Sequence, residues 1–145
     1  MDIKFKKVHT IQDLIISGLV LLAGAGLCFV KMELGIVIAV CGALMLLFYQ
    51  TGYKRDGDNT LLSKKAFDLA ASCRHSIIDY LTGKDVEPEF NQPGGEGEIR
   101  LETFFNKDAG IVYAQLFIFS NYMYEKATEM VELHSPEADK ILKHI

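Results

Sequence analysis

Several residue types that carry recognisable chemistry are scarce or missing in this 145-residue chain. There is no tryptophan, and the three cysteines lie far apart, so the sequence predicts neither a disulfide framework nor a CxxC metal site. No HExxH, GxSxG or GxxxxGK[ST] motif is present. These absences disfavour the common motif-bearing enzymes, and we expect a protein with no catalytic residues, no metal and no cofactor.

The second part of the chain lacks an excess of positive charge. The net charge is −4, with a basic part up to Arg55 and an acidic part beyond it. Nucleic-acid binding relies mostly on clustered Lys and Arg side chains. We therefore expect no nucleic-acid partner.

Asp, Glu, Lys, Arg and His are absent from two apolar stretches, 14–30 and 34–49. About 20 such residues suffice for a helix to cross a membrane, and interfacial neighbours bring each stretch close to that length. A cleaved signal peptide is the alternative for the first stretch, but a second apolar stretch follows it directly. The sequence thus predicts an α+β membrane protein with a transmembrane helical hairpin at 11–53, its helices at about 11–30 and 34–53.

The positive charges at the two outer ends of this hairpin predict its orientation. Residues 1–10 and the Lys54–Arg55 pair are basic, whereas the connecting turn holds one Lys and one Glu. By the positive-inside rule, both termini are cytoplasmic, as for a protein of the bacterial inner membrane with lipid as its surroundings.

Small residues recur at intervals of four on both apolar stretches. Such spacing lets helices approach closely, either within the hairpin or between protomers of a homo-oligomer. The residues concerned are Gly24, Cys28, Gly35, Ala39 and Ala43.

Residues 54–145 predict a small cytoplasmic α+β domain. Apolar residues at threes and fours over 62–81 indicate an amphipathic helix, and an acidic Pro- and Gly-rich loop follows at 84–97. Alternation over 98–105 and an apolar run over 111–119 predict a β-hairpin whose second strand is central. A third strand at 127–133 completes a three-stranded antiparallel meander, and Ser135 with Pro136 starts a short C-terminal helix.

The densest aromatic region of this domain is a candidate surface for a ligand or partner. Core packing is the commoner explanation of such a region, but aromatic side chains also anchor interfaces. The candidate residues are Asn106, Phe119, Asn121, Tyr122 and Tyr124. Glu132 and His134 lie on the same face of a predicted strand and could supply two ligands of a metal site, although such pairs more often lie on a solvent-exposed edge.

These features favour a membrane-anchored, non-enzymatic protein whose cytoplasmic domain associates with copies of itself or with a partner. In its architecture alone, the chain also resembles small bacterial defence effectors, in which a cytoplasmic domain senses a nucleotide signal and short helices disrupt the membrane. That resemblance implies an oligomeric membrane effector gated by a small ligand. A membrane-bound enzyme is the third possibility, and it lacks a recognisable catalytic cluster.

Overall fold

The computed structural model describes residues 3–92 and 99–145. The chain divides into two compact units. Phe5–Lys54 is called the helical unit below, and Arg55–Ile145 together with Met1–Lys4 is called the sheet unit.

The helical unit contains two helices, α1 at Ile11–Leu27 and α2 at Met32–Phe48. A strand precedes them, β1 at Phe5–Val8, and it pairs with a strand that follows them, β2 at Gly52–Arg55.

Asp13 fixes the start of α1. Its carboxylate accepts a hydrogen bond from the Thr10 amide at 3.0 Å, while the Thr10 hydroxyl accepts one from the Asp13 amide at 3.1 Å. This reciprocal pair satisfies amides that the first helical turn leaves free. The same carboxylate accepts from the Thr51 amide and hydroxyl at 2.8 and 2.6 Å. Burial acts to raise the pKa of Asp13, but the hydrogen bonds from Thr10 and Thr51 together outweigh it and lower the pKa to about 2.

The predicted transmembrane hairpin is wrong. α1 and α2 have 17 residues each, and among the described residues no helix is long and apolar enough to cross a membrane. At about 1.5 Å per residue such a helix spans roughly 25 Å, against a hydrocarbon core of about 30 Å. The prediction overran both ends, because residues 28–30 form a turn and Gly52–Arg55 is a strand. Three further predictions depended on the transmembrane hairpin and are therefore also wrong. They are an integral inner-membrane protein, a two-pass topology and cytoplasmic termini.

The sheet unit is built on five antiparallel strands. Their spatial order is β3-β4-β5-β6, and β7 also pairs with β5. They are β3 at Ser63–Leu69, β4 at Ile99–Asn106, β5 at Ile111–Ser120, β6 at Met123–Lys126 and β7 at Val131–His134.

Two helices pack on one face of this sheet and form the core with it. They are α3 at Arg74–Leu81 and α4 at Asp139–Leu142. The buried cluster comprises Leu69, Cys73, Ile77, Tyr80, Leu81, Ile99, Leu101, Val112, Ala114, Leu116, Ala138 and Ile141. Burial raises the pKa of Tyr80, whose hydroxyl donates to the backbone carbonyl of Glu137 and so ties α3 to the turn before α4.

The predicted β-hairpin with a central second strand is confirmed. β4 pairs with β5 from Ile99↔Ile118 to Asn106↔Ile111, and β5 has further strands on its other side. The turn closes where the Asn106 side chain accepts the Ala109 amide at 2.9 Å and Gly110 adopts a φ of 65°. Asn and Gly are favoured there for these conformations.

The predicted amphipathic helix over 62–81 is wrong in its first half, which is the strand β3. Only Ala71–Cys73, as one short turn, and α3 are helical. Leu62, Ala66 and Leu69 fit a helical period, but pairing with β4 places Leu69 in the core instead. Tertiary pairing of this kind overrides local preference, and Ala66 fits either pattern.

The predicted third strand at 127–133 is only partly correct, because only β7 overlaps it and β6 ends before it begins. The amides of Ala127 and Thr128 both donate to the Leu116 carbonyl, at 2.8 and 3.3 Å, and the Thr128 hydroxyl accepts the Leu116 amide at 3.1 Å. This exchange interrupts the ladder, so a regular strand at 127–133 cannot form.

The predicted start of the terminal helix at Ser135 is also wrong. The Ser135 hydroxyl donates to the Asp139 carboxylate at 2.9 Å, and its amide donates to the Gly110 carbonyl at 3.1 Å. Residues 135–138 therefore form turns before α4 begins. In the predicted acidic loop, residues 84–92 contain no helix or strand, and 93–98 lie outside the described residues.

Candidate functional site

The predicted partner surface is divided between the two ends of β5. Asn106 lies beside Ile111, at the start of β5, whereas Phe119, Asn121, Tyr122 and Tyr124 lie at its far end. At about 3.4 Å per residue, the length of β5 separates them by roughly 30 Å. The Asn106 amide donates to the Leu61 carbonyl at 2.8 Å, so it has a structural partner.

The other four residues form the tip of the β5–β6 hairpin, defined here as Phe119–Tyr124. Ser120 pairs with Met123, which leaves a two-residue turn of Asn121 and Tyr122 with φ values of 50° and 65°. Two positive φ values are typical of the tight hairpin turns that Asn-Gly prefers. Tyr122 is 97% exposed in this unfavourable conformation. A strained, exposed aromatic residue is consistent with a contact surface.

Replacing Tyr122 with Gly is expected to stabilise the sheet unit by about 1 kcal/mol, since Gly adopts a positive φ without steric cost. Urea denaturation of the full chain measures this change. Asn121→Ala is the matched comparison, and it should destabilise because Ala tolerates this region less well than Asn. A Tyr122→Gly protein that is less stable than wild type would show that the tyrosine ring contributes packing.

Next to this tip, Arg100 joins three strands on the sheet face opposite the core helices. Its Nε donates to Asp68 at 2.8 Å, and its guanidinium lies 4.2 Å from the centre of the Tyr124 ring. Phe119 packs against Tyr124 at 5.2 Å between ring centres. The hydrogen bond to Asp68 is the main cause that raises the pKa of Arg100. Phe119 and Tyr124 are thus held in place, whereas Tyr122 is not.

A groove of about 410 Å³ runs along β3, the outermost strand of the sheet. It is lined by the five consecutive residues 65–69 and, from other segments, by Phe90, Gln92 and His144. The Phe90 ring stacks on His144 at 4.1 Å and meets Phe67 edge-on at 5.1 Å. Burial, and then the nearby Lys143, lower the pKa of His144.

Five consecutive residues can line one groove only where a strand presents its backbone edge. In the part of the chain that the structure describes, β3 pairs with β4 alone. The Lys65 carbonyl accepts the Thr103 hydroxyl of β4 at 2.8 Å, so it faces inward. Because backbone groups alternate along a strand, those of Lys64, Ala66 and Asp68 point away from β4, and those of Ala66 and Asp68 face the groove. The next outward amide, that of Ala70, donates to the Asn91 carbonyl at 3.0 Å.

Glu132 and His134 do not present an open pair of ligands. His134 Nε2 lies 3.0 Å from Glu132 Oε1, and Arg55 donates to the other oxygen of Glu132 at 2.9 Å. Among residues 3–92 and 99–145, no group of three or more His, Cys, Asp and Glu side chains is placed to hold a metal ion.

In the helical unit, the small residues lie between α1 and α2. A Cβ added to Gly24 would meet the backbone of Ala39, one added to Gly35 would meet Cys28, and one added to Gly42 would meet Leu21. Ala43 is exposed and lies outside this contact. Gly42 also lies in this contact. The four-residue spacing did not include it, whereas a spacing of seven residues from Gly35 would have.

The outer surface of the helical unit is apolar. Most of the large exposed hydrophobic side chains in the described residues lie between Ile11 and Tyr49. They include Leu19, Leu22, Val37 and Val40, which are between 52 and 69% exposed.

The sequence pointed to Phe119, Asn121, Tyr122 and Tyr124 without predicting that they form a hairpin tip. It did not reveal the edge of β3, because those residues were assigned to a helix. The alternation of Phe67 and Leu69 with Ala66 and Asp68 is the signal that could have revealed a strand. Comparison with known proteins adds no functional assignment: no family model, no curated protein and no solved structure matches this chain.

Proposed function

We propose that this protein is a non-enzymatic, self-associating module whose helical unit forms the interface between copies. The observation that carries the proposal is the exposed apolar surface of α1 and α2. The sheet unit would then present its hairpin tip and strand edge to further contacts.

The size of the apolar surface supports an interface. Monomeric proteins rarely expose a contiguous apolar patch larger than about 300–600 Å². The many half-exposed Leu, Ile, Val, Met and Phe side chains of the helical unit present on the order of 1,000 Å², by the usual area of such side chains. A standard interface buries about 800 Å² on each partner. The surface is therefore large enough for a stable dimer.

The absence of charge on this surface supports a second copy as its occupant. Between Leu14 and Tyr49, the ionisable groups other than Cys and Tyr are Lys31 and Glu33, in and beside the turn between the helices. Asp13 is 2% exposed and hydrogen-bonded within the unit. An uncharged apolar surface matches itself, as a twofold symmetric interface requires, and offers nothing to select a charged partner.

The test is the mass of the full-length protein over a range of concentrations, by light scattering after size exclusion. We expect the wild type to associate. Leu22→Lys combined with Val37→Lys should weaken association at least about tenfold, because each change places a charge in an apolar interface. Both positions are more than half exposed in the single chain, so folding should persist, which circular dichroism checks.

Leu61→Lys is the matched control, since Leu61 is an exposed leucine of the sheet unit, and its association should equal that of wild type. A wild-type protein that is monomeric at every concentration would refute the proposal. Undiminished association of the double variant would place the interface elsewhere.

A further inference from the structure

We infer that the outer edge of β3, which no other strand of the described residues covers, pairs with β3 of a second copy, antiparallel and centred on Ala66, to join two sheets into one. This inference rests on the proposed function in that both require self-association, but it uses a different surface. The observation behind it is the order of side chains along one exposed strand.

The backbone of β3 is ready to accept another strand. Lys64, Ala66 and Asp68 direct their amide and carbonyl groups away from β4, and the cavity of about 410 Å³ lies beside them. An open strand edge is a template for pairing with another chain. Residues 63–66 are all exposed, so no side chain of the strand needs to leave a core.

The side chains of β3 are self-complementary in one register. With Ala66 opposite Ala66 of the second copy, each Lys64 lies opposite Asp68 of the other copy. Each Lys65 then lies opposite Phe67. Opposite charges on directly facing positions stabilise antiparallel pairs, and Lys with an aromatic ring is a further favourable pair.

The backbone pattern is compatible with the same register. Two opposed residues exchange hydrogen bonds only if the backbone groups of both point away from the β4 of their own copy. Pairing 66 with 66 and 64 with 68 satisfies this condition, whereas a slip of one residue would place outward groups against inward ones. Charge and hydrogen bonding therefore favour the same alignment.

The neighbouring structure limits the pairing to the length of β3. The Ala70 amide is already bonded to Asn91, which closes the edge beyond Leu69. In the proposed register, Ser63 of the second copy lies opposite Leu69, so the paired segments end where the edge closes. Asp68 Oδ1 holds Arg100 within its own copy, and its side chain is still 51% exposed toward a second cation.

An extended segment of another protein could use the same edge, but it would have to supply the complementary charges. A second β3 supplies both, a lysine for Asp68 and an aspartate for Lys64. We therefore assign the edge to a second copy, and the experiments separate the two occupants.

The first experiment tests the register by disulfide crosslinking. Ala66→Cys is placed in the full chain with Cys28 and Cys41 changed to Ala, while Cys73 is kept because it is fully buried. In the proposed pair the two Cα atoms are about 5.5 Å apart, within the range of a disulfide. Oxidation by diamide should give a covalent dimer on a non-reducing gel.

Ser63→Cys is the matched control on the same exposed strand. In the proposed register its two copies lie about 20 Å apart, six residues along the strand, and cannot be bridged. Dimer at position 66 and not at 63 supports the inference. Equal crosslinking at both positions, or none at 66, overturns it.

The second experiment mixes two charge variants, each prepared with Leu22→Lys and Val37→Lys to remove association through the helices. In the Lys64→Glu protein alone, carboxylates at positions 64 and 68 of the two copies would face each other and repel. In the Asp68→Lys protein alone, two lysines would face each other at these positions, so each variant should be monomeric. An equimolar mixture restores both opposite-charge pairs and should give a species of doubled mass.

A mixture that stays monomeric overturns the inference, since the fold of each variant is the same alone and mixed. Retention of the Ala66→Cys crosslink in the Leu22→Lys and Val37→Lys background separates this surface from the helical one. Association that Leu22→Lys with Val37→Lys leaves undiminished, together with an intact β3 crosslink, would refute the proposed function alone. The reverse result would refute the edge pairing alone.

Discussion

Replacing Leu116 with Asp is expected to unfold the sheet unit. Leu116 is fully buried in β5, where it lies opposite Leu101 of β4 and the core helices cover its side chain. An aspartate there would be an unpaired charge in an apolar core, at a cost of several kcal/mol. The total stability of a domain is only about 5–15 kcal/mol.

Thermal denaturation of the full chain, followed by circular dichroism and tyrosine fluorescence, measures this effect. Phe117→Asp is the matched control at the next position. Phe117 is half-buried and lies on the opposite face from Leu116, so the same substitution should cost less. A Leu116→Asp protein with an unchanged melting temperature would show that the core does not hold the sheet unit together.

Replacing Gly24 with Ala is expected to separate α1 from α2. The added Cβ would lie inside contact distance of the Ala39 backbone nitrogen, and backbone atoms cannot move aside as a flexible side chain can. Overpacking of this kind costs about 1–3 kcal/mol, and more where backbone is displaced. The loss of helical circular dichroism signal with temperature reports the stability of this unit.

Gly18→Ala is the matched control in the same helix. A Cβ at Gly18 meets nothing within 4 Å, and Ala favours the helix by about 0.5–1 kcal/mol over Gly. The two substitutions should therefore change stability in opposite directions. Equal effects would show that the close approach at Gly24 is not needed. Because Ala39 faces Gly24, a larger residue in place of Ala39 also tests this contact and not a contact between copies.

The candidate interaction surfaces differ in how far sequence alone could reveal them. The tip at Asn121 and Tyr122 was visible as a dense aromatic region beside turn-forming residues. The edge of β3 was not, because Leu62, Ala66 and Leu69 recur at a helical interval that β3 does not obey. Its strand conformation depends on β4, about 35 residues away along the chain, and no local pattern carries that information.

The sequence by itself determined the elements whose signals are local. Alternation over β4, the apolar run of β5 and the Asn106–Gly110 turn specify a hairpin, because its two strands are adjacent in the chain. The two N-terminal helices were also predicted, since long apolar runs without proline form helices, here of 17 residues each.

Tertiary structure decided where those helices end, and therefore whether they span a membrane. Apolar character continues past Leu27 and toward Tyr49, but a turn ends α1, and the Asp13 carboxylate holds Thr51 just after α2. Tertiary contacts also decided the break between β6 and β7, through Thr128 and Leu116. At Thr51 and at Thr128, a hydrogen bond to a residue distant in the chain outweighed a continuous local pattern, because backbone groups removed from water must be paired.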